Sequence, residues 1–85
     1  MKPSRHGRRV VKADAYGSPS LALKVWRTVQ KYGASFDLDR EGGEWIRCLV
    51  CGLTSHNRND VLYKYCDNCK LWHQAVPGPG YEVTT

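Results

Sequence analysis

Four cysteines in two pairs are the residues whose types and spacing point most clearly to chemistry. The first pair is Cys48 and Cys51, the second is Cys66 and Cys69, and fourteen residues lie between the pairs. A two-residue spacer lets both thiolates of a pair turn toward one point, and two such pairs supply the four sulfur ligands of a closed tetrahedral site. The sequence therefore predicts one structural Zn²⁺ held by these four cysteines.

Two other uses of the cysteines fit the sequence less well. Disulfides belong to oxidising compartments, whereas residues 1–12 are basic and no apolar stretch of a secretory signal follows them. A redox C-x-x-C motif sits in a βαβ unit, for which the chain after Cys51 is too short. His73 follows Cys69 by four positions and could replace a cysteine, but with four cysteines available a packing role is expected. Zinc is therefore favoured, together with a cytoplasmic location.

Catalysis is not expected of such a site. Four cysteine ligands close the zinc shell and leave no position for a reactive water. The acidic residues Asp37, Asp39, Glu41 and Glu44 crowd one hairpin and could suggest a magnesium site, but their alternation beside a turn favours a solvated face. The sequence thus predicts a non-catalytic protein without a small-molecule substrate, and no apolar run is long enough to cross a membrane.

Positive charge is concentrated at the start of the chain. Residues 1–33 carry eight Lys and Arg against one acid, whereas residues 34–85 carry five against seven. This imbalance favours an anionic partner for the first part, and the alternative is a solubilising tail. The candidate nucleic-acid-binding residues are Arg5, Arg8, Arg9, Lys12, Lys24, Arg27, Lys31, His56 and Arg58.

An amphipathic helix is predicted between Ser18 and Gly33. Ser18 suits the N-cap, Pro19 the first helical position and Gly33 the end. An apolar arc of Leu21, Val25, Val29 and Tyr32, flanked by Ala22 and Trp26, lies opposite a basic stripe of Lys24, Arg27 and Lys31. We expect the arc to pack on the cysteine-containing part, and the stripe either to be solvated or to contact phosphate.

The residues after the helix are predicted to form a three-stranded antiparallel ribbon. Ser35–Asp39 and Glu44–Val50 alternate in polarity and form a hairpin, Leu53–Asp60 is a polar loop, and Val61–Tyr65 is a third strand. The predicted fold class is therefore small α+β, an N-terminal amphipathic helix packed on a three-stranded zinc ribbon.

The predicted division of the chain has three parts. Residues 1–17 form a disordered basic arm, residues 18–76 form a single domain, and residues 77–85 form a flexible tail after the Pro77–Gly80 run. Trp72 is expected in the core of the domain. A core this small contributes only about 3–5 kcal/mol, so we expect the metal to decide whether the C-terminal half folds.

The run from Trp45 to His73, with its two cysteine pairs and the segment Thr54–Asn57, resembles short uncharacterised zinc-ribbon proteins of bacteria and their phages. It departs from their pattern at Asp67, where a Gly is common, and at Trp72, where a Phe is common. The resemblance implies the ribbon fold and the zinc, and no assured activity. A treble-clef fold would need a helix directly after Cys69, where too few residues precede the Pro-Gly run.

Two functions are consistent with these features. The first is a binding module for nucleic acid, DNA or RNA, through the basic arm and helix. The second is a protein-interaction adaptor or inhibitor that docks on a protein complex, as small phage proteins do, and exposure of Leu23, Trp26 or Trp72 in one patch would favour it.

Overall fold

The computed structural model describes residues 10–84, which form a small α+β fold with one main helix. In chain order the elements are β1 (Val10–Lys12), α1 (Pro19–Tyr32), β2 (Phe36–Leu38), β3 (Ile46–Cys48), β4 (Thr54–Ser55), α2 (Arg58–Tyr63), β5 (Tyr65–Cys66), β6 (Leu71–Trp72), a 3₁₀ turn (His73–Ala75) and β7 (Glu82–Thr84). Within this part of the chain neither helix combines the length and apolar character needed to cross a bilayer. The predicted α+β class is confirmed.

Helix α1 begins and ends as the sequence predicts. The Ser18 side chain accepts a hydrogen bond from the backbone N–H of Leu21 at 3.1 Å, and Pro19 occupies the first helical position. Gly33 ends the helix with φ of 83°, a conformation that residues without a Cβ adopt readily, and its N–H donates to the Val29 carbonyl. Local chain chemistry therefore fixes both ends.

The apolar face of α1 packs against the part of the chain that carries the cysteines. Val25 and Val29 lie in one buried cluster with Cys48, Cys66, Leu71 and Tyr81. The Trp26 ring is half-buried and donates its Nε1–H to the Tyr81 carbonyl at 2.9 Å. The expected packing of the helix is thus confirmed, although Tyr32 at the end of the predicted arc is exposed.

An antiparallel sheet of three strands follows, in the order β2–β3–β4. The β2–β3 hairpin was predicted, and its turn is organised by Asp39, whose carboxylate accepts hydrogen bonds from the backbone N–H groups of Glu41, Gly42 and Glu44. The bonds from Gly42 and Glu44 are the main reason that the pKa of Asp39 is lowered. Asp39 therefore stabilises the turn of the hairpin, which agrees with the expectation that the acidic residues there are not a magnesium site.

The predicted third strand, Val61–Tyr65, is wrong. Most of that segment belongs to α2, because the Asn57 side chain accepts hydrogen bonds from the N–H groups of Asn59 and Asp60 and caps a helix there. Lys64 ends the helix in the left-handed conformation, with φ of 54°. The third strand is instead β4, inside the segment predicted as a loop, and Ser55 Oγ donates to Asp60 Oδ2 at 2.7 Å to join β4 to α2.

The two ends of the described chain pair with each other. Strands β1 and β7 form a parallel two-stranded sheet in which Val11 lies opposite Val83, and the Ala13 N–H donates to the Thr84 carbonyl at 2.6 Å. Tyr81 is only 3% exposed. The structure therefore differs from the predicted division of the chain, because residues 10–12 of the predicted arm and residues 81–84 of the predicted tail are part of the fold.

Candidate metal centre and basic surfaces

Two short β-hairpins carry the two cysteine pairs. Strands β3 and β4 flank the turn with Cys48 and Cys51, and strands β5 and β6 flank the turn with Cys66 and Cys69. The residue after each pair, Gly52 or Lys70, has a positive φ, 84° in the first turn and 56° in the second. The same tight turn is thus built twice.

The four sulfur atoms converge on one point. The Sγ atoms of Cys48 and Cys69 are 3.8 Å apart, those of Cys51 and Cys66 are 3.7 Å apart, and all four lie within 4.8 Å of one another. A tetrahedron of sulfurs about 2.3 Å from a central zinc has edges of about 3.8 Å. All four thiols are free, so the alternative of two disulfides is not realised. The arrangement is compatible with a single metal site.

Burial opposes ionisation of two of these thiols in the protein itself. It raises the pKa of Cys48 to about 11 and also raises the pKa of Cys69. Burial acts in the same direction on Cys51, but hydrogen bonds from the Asn68 side chain and the Leu53 backbone outweigh it and lower that pKa to about 7. A cation among the sulfurs would supply the favourable interaction that buried thiolates otherwise lack.

His73 is not part of the sulfur cluster, whose candidate ligands are the four cysteines alone. Its ring is buried, and its Nδ1 shares a hydrogen bond of 2.8 Å with Ser35 Oγ. The ring also packs at 5.2 Å from the ring of Phe36. His73 therefore packs against strand β2, as expected.

Burial of His73 makes the stability of the fold depend on pH. Burial lowers its pKa from 6.5 to about 4, so the unfolded chain binds a proton that the folded chain rejects, and stability falls as pH drops from about 6.5 toward 4. We expect the free energy of unfolding to fall by about 1–2 kcal/mol more between pH 7 and 5 in the natural protein than in a His73→Gln variant. Denaturant titration of both proteins under the same metal conditions measures this difference. Equal pH slopes would contradict the assignment, since thiolate protonation is common to both proteins.

The basic stripe of α1 is exposed as predicted. Lys24, Arg27 and Lys31 point away from the buried face, and within residues 10–84 none of them forms an ion pair with a carboxylate. The Lys31 ammonium lies 5.2 Å from the centre of the Tyr32 ring. Lys12 is exposed on β1. The three remaining candidates of the arm, Arg5, Arg8 and Arg9, lie outside the described residues.

His56 and Arg58 meet at a different place, an open groove of about 610 Å³. One side of the groove is the β2–β3 turn with Gly42, Gly43 and Glu44, and the other is α2 with Val61 and Leu62. The structure therefore brings these two predicted residues together, His56 just before α2 and Arg58 as its first residue. The Glu44 carboxylate in the same groove partly offsets their attraction for an anion.

Three aromatic residues that the sequence did not bring together lie at the second hairpin. The Trp72 ring contacts the rings of Tyr63 and Tyr65, and Trp72, expected in the core, is 54% exposed. The prediction of a buried Trp72 is therefore wrong. The aromatic residue in the core is Tyr81, which belongs to the predicted tail. The alternation of β6, where Leu71 is buried and Trp72 is exposed, is the signal that could have indicated this exposure.

The sulfur cluster is thus built by two hairpins, and the candidate basic residues are divided between α1, β1 and the groove beside α2. Comparisons of the chain with models of protein families, with curated proteins and with solved structures gave no match.

Proposed function

We propose that the sulfur cluster holds one structural Zn²⁺ in a zinc ribbon, the fold that the sequence resemblance implies. The observation that supports the metal is the agreement between the sulfur separations, 3.7 and 3.8 Å, and the edge of a zinc–thiolate tetrahedron. The paired hairpins with one cysteine pair each support the ribbon. Four sulfur ligands fill the shell, so the ion acts as a structural staple in a non-catalytic protein. A cytoplasmic location belongs to the same proposal, because thiols stay reduced there.

We infer that this zinc-stapled module binds nucleic acid. The supporting observation is the exposed stripe of Lys24, Arg27 and Lys31, whose charges have no carboxylate partner within residues 10–84. The formal net charge of +5 acts in the same direction. Cations held on one face of a rigid helix neutralise phosphates and release counterions without reading sequence. Lys12 and the cations of the arm would extend the contact.

A salt titration tests the role of the stripe. The zinc-loaded protein and a Lys24→Ala, Arg27→Ala, Lys31→Ala variant are titrated with a DNA duplex between about 50 and 200 mM salt. Loss of three phosphate contacts is expected to reduce the slope of log affinity against log salt by about 2–3. Arg40→Ala removes an equally exposed cation from the β2–β3 turn and is expected to change the slope by less than each stripe cation does. Absence of binding at low salt, or an unchanged slope, would refute the proposal.

A protein-interaction adaptor is the second candidate. One observation favours it: Leu23 is exposed and lines a groove of about 310 Å³ with Trp26, Tyr81, Glu82 and Val83. A groove with four apolar or aromatic residues and one acid suits a protein partner better than a phosphate backbone. Co-purification of one defined protein that survives nuclease treatment and is lost in a Leu23→Asp variant would favour the adaptor over the nucleic-acid module.

A further inference from the structure

Three aromatic side chains lie together at the second cysteine hairpin and the end of α2, and we define them as the aromatic platform: Tyr63 and Trp72, which are exposed, and Tyr65, which is half-buried. The rings of Tyr65 and Trp72 are 4.5 Å apart between centroids at an interplanar angle of 45°. Tyr63 meets Trp72 edge to face, at 6.4 Å and 71°. Trp72 thus contacts both tyrosine rings, so the aromatic area is concentrated around Trp72.

The platform is exposed although the protein has a small core to fill. Trp72 is 54% exposed and Tyr63 is 51% exposed. Apolar area of this size costs hydration free energy unless a partner covers it.

The backbone holds the platform in place before any partner binds. Tyr65 and Trp72 are paired across strands β5 and β6, directly beside the pair of Cys66 with Leu71. Tyr63 is fixed by the end of α2, where Lys64 adopts the left-handed conformation and its carbonyl accepts a hydrogen bond of 2.8 Å from the His73 N–H. Rings that are already ordered lose little entropy on binding, which favours affinity.

Cations lie beside the platform, although its surroundings carry no net charge. Lys64 lies between two of its rings in sequence and forms no ion pair with a carboxylate within residues 10–84. Lys70 lies near Tyr65 and forms an exposed ion pair with Asp67 at 3.1 Å, a pair that water screens. Asp60 keeps its negative charge while it accepts a hydrogen bond from Ser55. The two lysines and the two acids therefore balance, so the aromatic rings and not an excess of charge distinguish this surface, and the lysines offer contacts to the phosphates that accompany bases.

We propose that the aromatic platform stacks the unpaired bases of a single-stranded nucleic acid, with Lys64 and Lys70 beside it to meet the phosphates. The inference rests on the proposed function for the class of partner, but it uses a surface separate from the α1 stripe. Base stacking on aromatic side chains is tolerant of sequence and requires bases that are not enclosed in a duplex. The module therefore prefers single strands, which a basic stripe alone does not explain.

The test compares three probes of equal length, about 12 units each: oligo-dT, an abasic strand with the same phosphates, and a duplex. A Trp72→Ala variant of the zinc-loaded protein is expected to bind oligo-dT about 5- to 150-fold more weakly than the natural protein. Its affinity for the abasic strand and the duplex is expected to stay unchanged. Trp72→Phe keeps a ring and is expected to retain most of the oligo-dT affinity.

Controls separate this proposal from the others. Leu62→Ala removes exposed apolar area without removing a ring and should leave oligo-dT binding unchanged. If it weakens oligo-dT binding as much as Trp72→Ala does, the binding depends on exposed apolar area and not on ring stacking, and the proposal is overturned. Equal oligo-dT affinities of the natural, Trp72→Ala and Tyr63→Ala proteins overturn it too. Tyr63→Ala, which changes the last residue of α2, provides the readout if zinc content shows that Trp72→Ala fails to fold.

The proposed function fails in a distinguishable way. Loss of the α1 stripe is expected to weaken all three probes alike, because each carries phosphates. If the stripe variant binds all three probes with unchanged affinity while Trp72→Ala still weakens binding of oligo-dT alone, the platform is the interface and the basic helix is not. If the stripe variant weakens all three and Trp72→Ala weakens none, the platform inference is wrong and the proposed function stands.

Discussion

Chelation of the proposed Zn²⁺ is expected to unfold the cysteine-containing half of the protein. In zinc-finger peptides structural zinc supplies about 10–16 kcal/mol of apparent binding free energy, more than the roughly 3–5 kcal/mol of a core this small. Cys48 and Cys66 are at once members of the sulfur cluster and of the buried core with Val25 and Val29. Without the ion, the four sulfur atoms would lie within 4.8 Å of one another and no cation would offset the repulsion between their thiolates.

The expected result is loss of the cooperative thermal unfolding transition, and of dispersed backbone amide signals, when a strong chelator is added. Zn²⁺ in excess of the chelator should restore both, whereas Mg²⁺, a hard cation that prefers oxygen ligands, should not. Cys66→Ser should behave as the chelated protein does even with zinc present. A chelated protein that keeps a cooperative transition at the original temperature would show that the metal is not the structural staple.

Leu71→Ala is expected to have the largest effect among substitutions outside the cysteines. Leu71 is 1% exposed, among the largest fully buried side chains, and lies in the core cluster shared by α1 and the cysteine hairpins. Truncation of a buried Leu costs about 2–5 kcal/mol. Because folding and metal binding are coupled, the loss should also weaken zinc affinity by roughly one to three orders of magnitude. Zinc competition with a chelator dye measures that affinity.

Leu62→Ala is the matched control for this substitution, because the same side chain is removed from a position that is 60% exposed. We expect it to change the free energy of unfolding by no more than about 0.5 kcal/mol. The shared burial of Cys48 and Cys66 indicates that the core and the sulfur cluster are coupled. Equal zinc affinities of the two variants would contradict this coupling.

Sequence reasoning succeeded where the signal is local. The cysteine spacing predicted that Cys48, Cys51, Cys66 and Cys69 converge, and Ser18, Pro19 and Gly33 predicted the bounds of α1. Each of these predictions depends on a few neighbouring residues whose chemistry allows only a few backbone conformations.

The errors have two physical causes. At Val61–Tyr65, β-branched and aromatic residues favour a strand, but the Asn57 cap satisfies the first N–H groups of a helix and decides between the two. At the ends of the chain, Val10–Lys12 pairs with Glu82–Thr84, and no local pattern reports a contact between segments so distant in sequence. Tyr81 enters the core through that contact, and Trp72 is left at the surface.

Pairing of β1 with β7 also has a consequence during synthesis on the ribosome. β1 is translated before β7, which follows it by about 70 residues, so at about 5–20 residues per second β1 waits unpaired for several seconds. Both cysteine hairpins are complete before β7 is made. During that interval a nascent chain presents Val10 and Val11 on a free strand, the kind of edge that pairs with neighbouring chains. Translation of this protein at high ribosome density should therefore favour aggregation through β1.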